Sequence, residues 1–389
     1  MRHLFCCFLR VALVVASACA PAGAAVRAGF PLARPSVGPG AILTSAHQGQ
    51  IFGFAIDSKG EHGILGDAGS AHGPPAMETF DPHTATIDKV VMTTTGQSDF
   101  LADGVFAGDA GLFTFEQVVG NGVKRSYPLL DPISRRQIAS WNSPIADFGI
   151  KQAAQNFDTS VGLLYGIRLA DRDLPVLVVG DVAQNTISNV LALDPNSFGL
   201  SNGPQVAQDT IDDRAIVVTS LSSGAAGGSP PVIFTIDLAT GKAVSIREES
   251  CPGLANCGGA NGAAFDSKKQ IVASTNEIYP GVAFYNLRTN TENLVQLPGA
   301  SVGQYNSATT VGNDPIHHLF LVAQPESSIG SGSNIFVYDL TGNLLETLSG
   351  FNFTFANDIV TPIQIALDPK DRMGYVNGPA VNQLQRFTY

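Results

Sequence analysis

Four side chains stand where their types and spacing could gather a cation. Ten residues before the turn aspartates Asp57, Asp109 and Asp368 lie His47, Asp99 and Asp358, and eight before Asp314, at the same strand parity, lies Asn306. Carboxylate and amide oxygens joined by one imidazole make a ligand set for a divalent cation such as calcium, which would polarise a substrate carbonyl. Asn261, five residues before Asp266, has a suitable side chain but falls out of phase. The competing reading is a ring of ordinary polar residues at the wet end of inner strands, with no metal and no catalysis. The chain contains no G-x-S-x-G elbow, H-E-x-x-H pair, P-loop or dinucleotide fingerprint.

The elements that would position these residues are legible as a repeat. An acidic turn followed by a short β-rich run recurs at Asp57, Asp109, Asp171, Asp212, Asp266, Asp314 and Asp368, with spacings of 52, 62, 41, 54, 48 and 54 residues. A second marker, a strand ending at a polar residue and a turn, recurs at Asp81, Asp131, Asp194, Asp237, Asn286, Asp339 and Tyr389, offset from the first by 20 to 25 residues. Two signals that keep step imply an inner strand, a second, a third and usually a fourth in each unit. Four antiparallel strands per repeat, seven times, is the pattern of an all-β seven-bladed β-propeller.

The final unit has three strands, so the expected fourth comes from the other end, Ala41 to His47, which removes a sheet edge open to aggregation. The recurring aspartates are expected to be turn residues, since Asp accepts hydrogen bonds from the backbone two residues on. His317 and His318 fall in such a turn, on the end opposite the expected ligand face, and read as solvent-facing or packed. Trp141 reads as core or rim packing near the end of a fourth strand.

Composition agrees with many short strands and tight turns: 41 Gly, 23 Pro and 14% charged residues in 389. A formal charge of −11 argues against nucleic acid or an anionic membrane surface as partner. Arg2 and Arg10, the apolar run from Val11 to Ala16, and Ala22-Gly23-Ala24 have the order of a secretory signal, so residues 1–24 are expected to be removed on export to a secreted or periplasmic location. Lipid attachment at Cys19 is the alternative. Residues 25–36 read as a linker and 37–389 as the propeller, with no membrane span and a monomeric state expected. Cys251 and Cys257, six positions apart, read as a disulfide pinning one loop, with free thiols as the alternative.

Tyr375-Val376-Asn377 in the last unit and Ile335-Phe336-Val337-Tyr338-Asp339 in the sixth resemble the two strands of a YVTN-type propeller repeat, whereas the GH and WD dipeptides of a WD40 blade are missing. The resemblance implies a propeller architecture shared by secreted lactonases, lyases and non-catalytic binding platforms. The lactonase-like members typically hold a divalent cation at the channel mouth. Two functions are therefore expected: a binding or scaffolding module for a small molecule or protein, or a cation-assisted hydrolase or lyase using some of His47, Asp99, Asn306 and Asp358.

Overall fold

A computed structural model describes residues 38–68, 74–92, 100–119, 122–142, 148–154, 161–168, 174–192, 205–220, 231–250, 260–276, 279, 281–299, 310–324, 333–353 and 364–389. Seven four-stranded antiparallel sheets follow one another along the chain. Blade one is β2 (Ile51–Ile56), β3 (Gly63–Asp67), β4 (Ala76–Asp81) and β5 (Thr86–Met92), and blade two is β6 (Phe100–Ala107), β7 (Ala110–Val119), β8 (Gly122–Asp131) and β9 (Arg136–Asn142). Blade three is β10 (Phe148–Ala154), β11 (Val161–Arg168), β12 (Leu174–Asp181) and β13 (Thr186–Ala192), and blade four is β14 (Gln205–Asp209), β15 (Arg214–Ser220), β16 (Pro231–Asp237) and β17 (Ala243–Glu248). Blade five is β18 (Ala260–Asp266), β19 (Ile271–Asn276), β20 (Gly281–Asn286) and β21 (Thr291–Gln296), and blade six is β22 (Thr310–Asp314), β23 (Leu319–Gln324), β24 (Ser333–Asp339) and β25 (Leu344–Phe351). Blade seven joins β26 (Ile365–Asp368), β27 (Met373–Asn377) and β28 (Gln383–Thr388) to β1 (Gly38–Thr44) from the other end of the chain.

Burial explains why the strands have these sequences. Second strands are covered on both faces by neighbouring blades, so in blade six the second strand reads as a continuous apolar run and every residue of Leu319–Gln324 is buried. Outermost strands have one face on the blade stack and one in water, so Thr186–Ala192 alternates between exposed and covered residues. In five of the blades the pairing of the third and fourth strands slips by one residue just before the outer turn, at Thr79/Phe80, Leu129/Leu130, Val179/Gly180, Thr235/Ile236 and Val337/Tyr338. Such bulges increase the local twist of each blade.

The innermost strands contact one another in the circular order β2, β6, β10, β14, β18, β22, β26 and back to β2. The closing strand pairs antiparallel with β28, from Gly38 opposite Thr388 to Thr44 opposite Gln383, as the incomplete last unit predicts. Leu43 is buried with Phe54, Leu65, Phe80, Tyr375 and Leu384, so one cluster spans the junction of blades seven and one.

Two positions differ from the sequence repeat. In blade three the outer turn follows Asp181, whose Oδ1 accepts from the Gln184 amide at 3.0 Å, rather than Asp194; Asp171 falls between β11 and β12 and, like Asp194, lies outside the described residues. The stretch DRDLPVLVVGD carries an aspartate at each end of a strand, and turn chemistry alone cannot say which one closes a given hairpin. In blade four the aspartate that ends the inner strand is Asp209, fully buried, while Asp212 lies exposed within the turn.

Candidate functional site

The end of the propeller that carries the connections into the inner strands is where ligand-binding residues were expected, and His47 is on it. Asp67 pairs with Ala76, and Glu78 lies two residues further along β4, so both carboxylates project from the same face of blade one. That face packs against blade seven, and Ser45, just past β1, inserts between them. Its hydroxyl donates within hydrogen-bond reach of Asp67 Oδ2 and stands 3.0 Å from Glu78 Oε1. Glu78 also accepts the amides of Ala46 at 3.0 Å and His47 at 3.2 Å, while Asp67 accepts that of Gly49 at 2.9 Å.

These carboxylates are fully buried and Ser45 is 2% exposed, so no substrate reaches the hydroxyl. The arrangement is a lock on the 45–50 connection between blades seven and one, and it fixes the backbone that presents the half-buried His47. Burial pushes the Glu78 carboxyl above its usual range, partly offset by the Ala46 amide and the Ser45 hydroxyl. The other three members of the expected ligand set, Asp99, Asn306 and Asp358, lie outside the described residues, as do Cys251 and Cys257. Asn261 is placed within β18.

Glu249, at the same end of the molecule, was not singled out by its sequence. It follows β17, is 3% exposed, and accepts from the Ser274 hydroxyl through Oε1, while Oε2 has no partner among the described residues. Burial, reinforced by the nearby Glu292 charge and opposed by the Ser274 hydrogen bond, pushes its carboxyl up to about 8. A carboxyl protonated at neutral pH is a proton donor in principle, here closed off from solvent. The signal that could have found it is parity: Ser245 and Arg247 face inward along β17, and Glu249 continues the same alternation.

At the opposite end, the turn aspartates are structural. Oδ1 of Asp209, Asp266, Asp314 and Asp368 each accepts amides of its own turn, such as those of Ile316 and His317 at 2.9 Å for Asp314. In Asp209, Asp266 and Asp314 the second oxygen then reaches a neighbouring blade. Gln270 Nε2 donates to Asp209 Oδ2 at 2.9 Å, and His318 Nδ1 to Asp266 Oδ2 at 2.8 Å. Asp314 Oδ2 receives His317 Nδ1 at 2.8 Å and the Tyr389 hydroxyl at 3.1 Å. A carboxylate only accepts, so both histidines carry their proton on Nδ1. The His317-His318 pair is thus packed against carboxylates, and Trp141 is a core residue, 4% exposed with Nε1 donating to Asn185 Oδ1 at 3.0 Å.

Solved structures of similar architecture include the β-propeller domain of Cps50 (Swd1) from Myceliophteria thermophila, with TM-score 0.58 and 9% identity over 91% of this chain and 100% of that one. The WD40 repeats of RRP9 match with TM-score 0.58 and 12% identity over 90% and 98% of the two chains. Raptor from Chaetomium thermophilum matches with TM-score 0.59 and 12% identity over 90% of this chain and 29% of its own. What they share with this chain is the propeller. No family model matches the sequence. No curated protein matches it either. The YVTN-type likeness accordingly rests on its own few residues, and the solved neighbours include WD40 propellers although this chain lacks their dipeptides.

Proposed function

We propose that this protein is a binding or scaffolding propeller whose partner, a protein or small molecule, docks on the end bearing His47. The observation that supports this is the division of labour between the two ends. Among the hairpin turns at the aspartate end, connections run from two residues (108–109) to six (57–62), and most are four. At the opposite end they run from two residues (120–121) to thirteen (297–309), with long connections at 193–204, 221–230 and 352–364. One end is built to a common pattern, and the larger variation in length, the usual source of specificity on a rigid scaffold, falls at the other. The N-terminal signal pattern supports a secreted or periplasmic setting for that partner.

A photo-crosslinking residue placed at Gln48, on the His47 end, and another at the exposed Ile133, in a turn of the aspartate end, test the proposal in the producing cell. Specific adducts are expected from position 48 and none from 133. Adducts at 133 alone, or equal labelling from both, would overturn the assignment of the face.

A further inference from the structure

Among the four buried aspartates that end described inner strands, Asp209, Asp266, Asp314 and Asp368, one lacks a latch to the next blade. Asp209 is met by Gln270 of blade five, Asp266 by His318 of blade six, and Asp314 by Tyr389 of blade seven. Gln270 and His318 occupy the left-handed position of their turns, at φ 58° and 55°. At the junction of blades seven and one, the left-handed residue is Gly60, at φ 72°, and it has no side chain to offer. Asp368, fully buried, spends Oδ1 on the amide of Lys370 at 3.0 Å, and its Oδ2 has no hydrogen-bond partner among the described residues. The backbone of Gly60 lies directly over this oxygen: a Cβ there would stand 2.1 Å from it.

A buried carboxylate oxygen with nothing to accept from is costly, and structures normally supply a donor or a cation. Two exposed side chains stand beside Asp368. His83, on the outer turn of blade one, and Asp371, on the inner turn of blade seven, place ligand atoms so that those of all three residues lie within 4.8 Å of one another. His83 Nε2 is 3.8 Å from Asp371 Oδ2. The blade-one turn is held in place from blade seven, because the Tyr375 hydroxyl donates to the Pro82 carbonyl at 2.8 Å and Arg386 Nη1 donates to the His83 carbonyl. Ligands from two blades are thus presented on a fixed frame, with an outer side open to solvent.

We propose that His83, Asp368 and Asp371 bind a divalent transition cation that joins blade seven to blade one. One imidazole and two carboxylates favour Zn²⁺ or Mn²⁺ over Ca²⁺, which prefers a larger all-oxygen set. Around Zn²⁺ at about 2.1 Å the three ligand atoms would stand about 3.4 Å apart, a contraction that the two exposed side chains supply by rotation. Water completes the coordination on the open side. The cation takes the place that Gln270 fills between blades four and five and His318 between blades five and six, and it does so where the ring is closed. This site lies at the other end of the blades from His47.

The test titrates ZnCl₂, and separately MnCl₂, into the chelator-treated full chain, followed by calorimetry and thermal unfolding. One equivalent is expected to bind, and a hundredfold excess over Kd should raise Tm by about 3 °C or more. His83→Ala and Asp371→Asn, both at exposed positions, should weaken binding at least tenfold without lowering the metal-free Tm. Asp368→Asn keeps the Oδ1 acceptor and removes the unpaired charge, so it should abolish binding while leaving the metal-free protein as stable as wild type or more so. Absence of saturable binding, or affinity unchanged in His83→Ala, would overturn the site. So would a metal-free Asp368→Asn protein less stable than wild type, because Oδ2 would then have had a partner.

Discussion

A carboxyl group folded between blades must either find donors or keep its proton, and this protein uses both solutions. Asp266 and Asp314 are ringed by amide, imidazole and hydroxyl donors. Among the described residues Glu249 has one hydroxyl donor and an oxygen without a partner, and its carboxyl is pushed up to about 8. The consequence for stability has a definite sign. The unfolded chain loses the Glu249 proton near 4.5 and the folded chain keeps it to about 8, so between these values the unfolded state binds fewer protons and stability falls as pH rises. Below the lower value the effect vanishes; above the upper it is complete, at up to about 5 kcal/mol. Glu249→Gln cannot ionise. Its urea midpoint should match wild type near pH 4 and exceed it at pH 8.5, and an equal difference at both pH values would sink the assignment.

Individual blades are specified by how closely their strands approach, and blade three shows this best. Trp141, from the outer strand of blade two, lies against Gly162 and Gly180 of blade three: a Cβ on Gly162 would stand 3.2 Å from its ring, and one on Gly180 2.4 Å. The indole is held by its Nε1 bond to Asn185, itself at a left-handed φ of 54°, and by the cluster of Val105, Leu112, Tyr127, Leu129, Val176 and Val178. It has no room to retreat. Gly180→Ala should therefore cost about 1–3 kcal/mol through overpacking, read as a lower denaturation midpoint with an unchanged m-value. The double variant with Trp141→Phe should recover part of that loss; failure to recover any would show that the strain lies elsewhere.

For the whole molecule the decisive junction is between blades seven and one, the only one made from the two ends of the described chain. It is held by β1 paired to β28, by Leu43 in the shared apolar cluster, and by Ser45 between Asp67 and Glu78. Deleting 38–44 removes all of the pairing and leaves β28 as an open edge. The deletion is expected to abolish cooperative unfolding and give concentration-dependent aggregation in light scattering, whereas removal of residues 1–34 alone should leave Tm unchanged. A deletion variant that stays monomeric with the wild-type Tm would refute closure by this strand.

Much of this architecture was written locally. Alternating and continuous apolar runs follow directly from one-sided and two-sided burial, and Asp at the end of a strand caps its own turn wherever it occurs, so seven units and the borrowed strand were legible along the chain. The same local rule misled at Asp171 and Asp194, because an aspartate caps whichever turn it enters and carries no label for the hairpin it closes; pairing of β11 with β12 settled the phase at Asp181. What tertiary structure alone decided is which polar groups meet across blades. His83 and Asp368 are 285 positions apart in sequence, as are Gln270 and Asp209 by 61. Nothing in their spacing marks the first pair as neighbours lacking a donor and the second as a completed latch. That difference arises only when the ring closes and Gly60, rather than a residue with a side chain, is brought against the buried carboxylate.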